Sequence, residues 1–546
     1  MAIRRYGQDQ LKLALSVDVG SYIPEDDIVW LVDGMVNRLD IRIVIDKYSD
    51  VGYEGYHPLG LIKILFLGYI GGTTSSRLLD YFCHIDVRYM YLMGMEFPDF
   101  RTINGFRKNN LDFMKSAFEQ MIGKLVKGGL ISLEHVSTDG SIILANAGKS
   151  NVLTEKNFEK VVKKIRKNIE KYMDECDRVD AAEDKKAASA GKAKKKLKSL
   201  VKKLDKVMDA KKEMEKNGEE RRNLTDPDAH FMGKKGKPKA PAYNIQVTVD
   251  HKHQFIVACD VVTDRSDAHQ MEPQMEQVLE NTGKMPEKAS LDSGYHNGDN
   301  LEFAEKSGID CYIPDGRTSM EMAGRAVKEK YFHQDKFAYD AEKDCYHCPG
   351  ENELRLMKTT TRRKKKLLVY GNPSACPNCP LKNACLMKGN KSGYRTISRD
   401  PEYQALQDEM RKKLLTEEGK EIYGRRCCTV EPVFGDVKEN MGFRRFRLRG
   451  LDNVKGEFFL PSIARNSKRL HKILLGYTEV LDFGLKQILA LFWEKGLPEL
   501  QNLSFSDIIM LKKSFSIYYE IYLSYILTVC LIVFYKFRQS RVLSKN

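Results

Sequence analysis

The sequence predicts a mixed α+β fold built from several units, and three observations predict it. Apolar residues recur at helical spacing across residues 8–125, broken at Gly71-Gly72 and Pro98. Period-two alternation replaces that pattern in residues 243–250 (YNIQVTVD) and 254–263 (QFIVACDVVT), joined by the short link HKH, a β-hairpin signal. Five cysteines then gather between residues 345 and 385. A chain of 546 residues exceeds one simple core, and its length suggests roughly three or four units.

Residues 1–128 read as a helical N-terminal unit that either touches DNA or packs against the rest of the chain. Within it, residues 99–107 (DFRTINGFR) read as a helix start with Thr102 as N-cap, followed by exposed basic residues. A strand ending at Asp139 comes next. Residues 150–225 are rich in Lys and Glu, with apolar residues at helical spacing and an interruption at AASAGKA. That pattern predicts a basic helical hairpin inserted in the domain; a solvated charged face explains it as readily as DNA contact. Beyond the β-hairpin, HQMEPQMEQVLENTG reads as a helix, KASLD as a short strand ending at Asp292, and residues 309–315 (IDCYIPD) as another strand. Three early antiparallel strands followed by helix-linked strands form the ribonuclease H-like arrangement, in which the ends of strands one and four are neighbours. The catalytic domain is thus expected over 129–475, with insertions at 150–225 and 340–392, and residues 476–546 form a C-terminal helical and apolar tail.

A net charge of +15 and a pI near 9.0 favour a polyanionic partner, because each Lys or Arg at a phosphate releases condensed counterions. Twelve cysteines in so long a chain do not suit a small secreted disulfide scaffold, and the N-terminal residues lack the apolar run of a signal peptide. A cytoplasmic, nucleoid-associated location is expected. The uncharged run at 521–535 (IYLSYILTVCLIVFY) falls short of the ~20 residues of a membrane helix. It reads as a buried terminal helix or a tail acquired by frameshift or fusion, with no membrane partner.

Three acids stand in separate, recognisable settings: Asp139 in STDGSIILANA, Asp292 in LDSGYHNGDNL, and Glu431 in TVEPVFGDVKENMGFRRFRLRG. Phosphodiester cleavage without a covalent intermediate needs an activated oxygen nucleophile and a stabilised leaving oxygen, which two Mg²⁺ (or Mn²⁺) ions supply. Mg²⁺ takes oxygen ligands, so a few carboxylates suffice. Any one of these acids alone is equally a turn former. Lys438 lies seven residues after Glu431, two helical turns away, where it would hold a phosphate near the metals. Arg444, Arg445, Arg447 and Arg449, interleaved with Phe443 and Phe446, form the densest basic-aromatic patch. Arginines fork phosphates and phenylalanines stack on bases; two anchoring phenylalanines in an arginine loop are the alternative. Cys345-x2-Cys348 and Cys376-x2-Cys379, followed by Cys385, predict a structural zinc-ribbon-like insertion with four of the five as ligands. Cys427 and Cys428 lie apart and read as core residues.

At this point the chain resembles the DDE transposases of bacterial insertion sequences, specifically the group with a helical N-terminal transposase domain and a cysteine-bearing insertion. The resemblance rests on SSRLLDYF and FPDFRTINGFRK, on the stretches around Asp139 and Asp292, and on VEPVFGDVKENMGFRRFRLRGLDNVKGEFFLPSIARNSKRL. It covers residues of about 10 to 475 and implies Mg-dependent cleavage at element ends with strand transfer into target DNA. Double-stranded DNA (terminal inverted repeats and target) is then the partner, with a dimer in the synaptic complex. Relatives carry a tyrosine, arginine, glutamate and lysine signature. Here Tyr423 and Arg426 would complete it, but Arg426 stands five residues before Glu431, where the usual pattern has four, and Cys427 takes the expected place. On an ideal helix Arg426 would turn away. Tyr295 and His296, in the motif at Asp292, would position DNA or the aspartate loop. A ribonuclease H-like nuclease without strand transfer, and a non-catalytic DNA-binding descendant, are the rival readings.

Overall fold

The computed structural model describes residues 18–477, apart from 49–54, 150, 182–186, 234–237, 326–330, 363–364, 388–389 and 391. The apolar run at 521–535 lies outside the described residues.

Helices dominate the N-terminal region: α1 (Ile28–Asn37), α2 (Pro58–Ile70), α3 (Ser76–Ile85), α4 (Phe100–Asn109) and α5 (Leu111–Lys127). Pro58 opens α2 in its first turn, where a missing N–H costs nothing, and α2 is apolar on nearly every side. Such a helix must be enclosed, and only Leu59 and Lys63 of its residues escape full burial. The cap of α4 is Asp99, whose carboxylate accepts the Thr102 amide at 2.7 Å, so Thr102 is the third helical residue and not the cap. Arg107, expected among exposed basic residues, is buried. It shares the inward face of α4 with Ile103 and Phe106 and donates to the Thr74 carbonyl (2.8 Å) and Asn104 Oδ1 (2.7 Å).

Five strands build the central sheet: β1 (His135–Leu144), β2 (Ala240–Asp250), β3 (Ile256–Val262), β4 (Lys288–Leu291) and β5 (Asp310–Tyr312). Their order is β3-β2-β1-β4-β5, and a short strand, His230–Met232, pairs with the start of β2. The first three strands are antiparallel, and β4 and β5 run parallel to β1. β2 is buried along nearly its whole length, as its continuous apolar and amide run requires of an interior strand. Helix α6 (Phe158–Ala181) and α7 (Ala187–Asn217) form the hairpin inserted between β1 and β2. Val162 and Ile165 of α6 meet Val207, Ala210 and Met214 of α7 in its apolar seam. The AASAGKA segment does not interrupt the hairpin but begins α7, because alanine has the best helix propensity of any residue.

After β3, α8 (Met271–Thr282) leads to β4, and α9 (Gly298–Lys306) leads to β5. The cysteine-bearing insertion is a second, antiparallel sheet of β6 (Ala338–Asp340), β7 (Cys345–His347), β8 (Glu353–Arg362), β9 (Lys365–Gly371) and β10 (Thr396–Arg399), in order β10-β9-β8-β7-β6. Helices α10 (Pro401–Leu415), α11 (Glu417–Thr429) and the short α12 (Glu431–Gly435) return the chain to the central sheet. The long α13 (Leu451–Tyr477) then joins sheet and helical region. Asn466 of α13 accepts the Ile256 amide and donates to the Ile256 carbonyl, both at 2.9 Å, so it satisfies the edge strand β3 as another strand would. Two turns earlier on α13, Phe459 packs on Phe118 of α5, ring centroids 5.5 Å apart. The protein is therefore a mixed α+β chain with a helical N-terminal region.

Candidate active site

The site begins with register. Thr138 of β1 pairs in parallel with Leu291 of β4, and Asp139 and Asp292 are the next residues of the two chains. Parallel neighbours stay side by side, so both carboxylates emerge at one edge of the ladder. β1 itself runs on to Leu144 beside β2, so Asp139 closes the parallel ladder and not, as expected, the strand. Its Oδ1 accepts the Gly140 amide at 2.8 Å, and its Oδ2 accepts Arg426 Nη1 at 2.9 Å. The two side chains of this ion pair are only 16% and 13% exposed.

Electrostatically the site is crowded with negative charge. Burial pushes Asp139 up to about 6; Arg426 opposes the shift and Asp292 adds to it. Burial also raises Asp292, against the pull of the Gly294 amide and Arg426 and with a push from Asp267. Burial alone would lower Arg426, but Asp139 and the neighbouring Tyr423 outweigh it and hold the guanidinium charged.

Arg426 does not turn away from Glu431. Its Nη2 lies 4.0 Å from Glu431 Oε1, so one guanidinium spans the first and third acids. The ideal-helix argument fails because Pro432 interrupts the ladder between α11 and α12. The Cys428 carbonyl there accepts Gln254 Nε2 at 2.7 Å. Downstream, Asp436–Asn440 form a π-helical turn, so Glu431 and Lys438 do not share an unbroken α-helix. Both nevertheless line one open cavity of ≈ 510 Å³ with Asp139 and Asp267. Lys438 Nζ donates to Ser141 Oγ and, at 3.0 Å, to the Ile142 carbonyl on the outer half of β1.

Asp267 was not foreseen. It sits ahead of α8, and its Oδ1 accepts Asn244 Nδ2 at 2.7 Å and Gln246 Nε2 at 2.6 Å. Both amides come from β2, where they stand opposite Ile142 and Gly140. A Cβ on Gly140 would lie 2.3 Å from Asp267 Oδ1, so only glycine admits the fourth carboxylate. Asn244 and Gln246 stand at i and i+2 of β2, hence on one face, with Thr248 and Asp250 continuing the polar series.

Tyr295 lies in the turn that Asp292 caps. It is wholly buried, and its hydroxyl donates to Gln246 Oε1, fixing the same amide that holds Asp267. His296 Nδ1 takes the Tyr403 hydroxyl at 3.1 Å, tying the Asp292 turn to α10. Tyr423 packs against the cluster of Tyr312, Leu414 and Ile422, beside Arg426.

The arginine patch is exposed as expected, but its phenylalanines are not. Phe443 and Phe446 are 1% and 0% exposed and pack edge-on to each other at 5.4 Å, so they anchor the loop in the core and offer no ring to a base. Arg444 and Arg445 lie between them and Arg447 and Arg449 follow, all four exposed. Arg445 Nη1 donates to the Ala145 carbonyl (2.7 Å), Arg449 Nε to Asn146 O (3.0 Å) and Arg447 Nε to Thr74 Oγ1 (2.8 Å), while Arg444 reaches Lys438 O and Glu439. Glu457, fully buried, accepts the Arg447 and Leu448 amides and the Tyr69 hydroxyl, which locks this loop to α2.

In the insertion, Cys348, Cys376, Cys379 and Cys385 line one small cavity, whereas Cys345 sits apart with His347 and Asp340. Cys427 and Cys428 are exposed and not core residues, since α11 turns Ile422 and Thr429 inward instead. Among the described residues no helix is long and apolar enough to cross a membrane.

Comparison with known proteins adds two matches. Residues 17–109 match the family model described as Transposase domain (DUF772), a span that holds α1 to α4. Residues 347–471 match the Transposase DDE domain, a span that holds Glu431, Lys438 and the arginine loop. No curated protein and no solved structure matches the chain. With a match to a helical transposase domain followed by a match to a DDE domain, the chain is similar to the insertion-sequence DDE transposases, and the two matches support DNA transposition by a DDE-type transposase.

Proposed function

We propose that the chain cleaves DNA at the ends of its element and joins the freed 3′-hydroxyl to target DNA, using Asp139, Asp292 and Glu431 in a ribonuclease H-like domain. The observation that carries this reading is the parallel register of β1 and β4, which sets Asp139 beside Asp292, with Arg426 reaching from Asp139 toward Glu431. The sheet order β3-β2-β1-β4-β5 supports the ribonuclease H-like assignment.

The donor set fits hard divalent cations. Asp292 stands in repulsion with both Asp139 and Asp267 in a largely buried site, and Arg426 offsets part of that charge. Oxygen ligands of this kind suit Mg²⁺ or Mn²⁺. When bound, two such ions activate the attacking water or 3′-hydroxyl and stabilise the leaving oxygen. Arg426 fixes the rotamer of Asp139. Lys438, which lines the same cavity, offers a phosphate its positive charge. Arg444 and Arg449, the outermost of the patch, extend a basic track beyond the cavity for the DNA backbone. Two such subunits would hold two element ends together in a cytoplasmic, nucleoid-bound complex, and a structural zinc in the insertion completes the reading.

A strand-transfer assay tests it. Protein, a pre-nicked duplex carrying the element end, and supercoiled plasmid are incubated with Mg²⁺. Joined product supports the transposase chemistry. Hydrolysis of the duplex without joining moves the assignment to a nuclease, and end binding without either product to a DNA-binding descendant.

A further inference from the structure

The insertion holds five cysteines, and spacing alone pairs Cys345 with Cys348. The local geometry separates them. β7 spans Cys345–His347, and residues three apart along an extended chain face opposite sides. Cys345 and His347 accordingly share one face, with Sγ 4.0 Å from Nε2, and His347 Nε2 lies 3.4 Å from Asp340 Oδ2. Tyr346 points the other way, into a cluster with Phe337, Leu354, Tyr370 and Ile397, and Cys348 and Cys385 pack against that cluster.

Cys376 and Cys379 have the same spacing but a different backbone. They bracket a 3₁₀ turn, Cys376–Asn378, and three residues make one full 3₁₀ turn, so both thiols fall on one side. Gly350 lies beside two of these sulfurs: a Cβ there would be 3.4 Å from Cys379 Sγ and 3.7 Å from Cys348 Sγ. The Asn352 amide points at Cys348 Sγ from 3.4 Å, a contact that supports a thiolate. The four cysteines line one small cavity, ≈ 30 Å³ in volume. Lys382 and Arg395 also line it, supplying positive charge against four thiolates.

We infer that Cys348, Cys376, Cys379 and Cys385 form a tetrathiolate site for one soft divalent cation of the Zn²⁺ class, and that Cys345 is not a ligand. The inference rests on the reading of the insertion as metal-folded and is independent of the carboxylate chemistry. The ion would pin the 376–385 loop to the β7–β8 turn, which positions β10 and, through it, the start of α10.

The full-length protein is purified without chelators, its metals are measured, and it is reloaded with Co²⁺ as spectroscopic probe. One zinc per chain is expected, with tetrahedral cobalt bands and a near-ultraviolet thiolate-to-cobalt band of four-thiolate intensity. Cys345→Ser and His347→Ala retain the full metal content, and Cys348→Ser and Cys385→Ser lose it. Loss of metal in Cys345→Ser or His347→Ala overturns the assignment, whatever the other variants do. So does a metal-free protein, or one carrying iron with inorganic sulfide. These readouts need no DNA, so failure here leaves the transposase reading standing, and failure of strand transfer leaves this site standing.

Discussion

Gly140→Ala probes how the site is assembled. The added Cβ would lie 2.3 Å from Asp267 Oδ1, 2.8 Å from Asp267 Cγ and 2.5 Å from Gln246 Nε2. Relief requires a shift of about 1 Å, given that side-chain carbons pack at ~3.5 Å or more. Such a shift breaks the hydrogen bonds of 2.7 and 2.6 Å by which Asn244 and Gln246 hold Asp267. Overpacking of this kind costs about 1–3 kcal/mol, and weakening two bonds to a charged acceptor brings the expected total to about 2–4 kcal/mol. The same substitution moves the amide that caps Asp139, so metal-dependent cleavage should fall by about tenfold or more. Thermal melts followed by circular dichroism measure the first effect, and cleavage of end-bearing duplex the second. Asp267→Gly in the Gly140→Ala background removes the clash with the carboxylate and frees Gln246 Nε2 to move from the new Cβ, so the stability costs should be non-additive. Equal melting temperatures for wild type and Gly140→Ala, or simple additivity in the double variant, would refute the packing argument.

Other consequences follow from the same geometry. Burial raises Asp139 from 3.8 to about 6, a difference worth about 3 kcal/mol. Because the folded protein binds this proton more tightly than the unfolded chain, the stabilisation is complete below about pH 4 and is lost as pH rises through about 6. A divalent cation takes over the role of the proton, so MgCl₂ should raise the melting temperature more at pH 7.5 than at pH 5, and equal shifts would count against cation binding at Asp139. Arg426→Gln leaves a buried carboxylate unpaired, and comparison of denaturant midpoints should show a loss of about 3–5 kcal/mol in the absence of metal, reduced when Mg²⁺ is added. Glu457→Ala strips acceptors from the Arg447 and Leu448 amides, so proteolysis should cut first within residues 443–450, and an unchanged digest would show that this carboxylate does not hold the loop.

Much of this site could be read from the chain because its parts are local. The alternation at 243–250 and the short run before Asp292 announce strands directly, whereas β1 runs on past Asp139 to Leu144, beyond the end expected of it. What escaped depends on contacts between distant segments. Arg426 was misjudged because a helical wheel assumes an unbroken helix, and Pro432 breaks it. Asp267 was invisible because its place depends on a glycine 127 positions earlier and on two amides of β2. The phenylalanines of the arginine loop looked available for stacking because sequence gives their period and not the side that faces the core; Phe458 on α13 supplies that side. Cys345 and Cys348 share the spacing of Cys376 and Cys379, but a strand and a 3₁₀ turn send the same spacing to opposite outcomes.

The central claim is that Asp139, Asp292 and Glu431 act together on DNA. The most direct test incubates end-bearing duplex with wild type, Asp139→Asn, Asp292→Asn and Glu431→Gln, each checked for native melting, with and without Mg²⁺. The account predicts cuts at the element boundary that leave 3′-hydroxyl ends, dependent on Mg²⁺, and lost by at least about a thousandfold in every variant. Cleavage that survives in any folded single variant, or that proceeds undiminished in chelator, would contradict it.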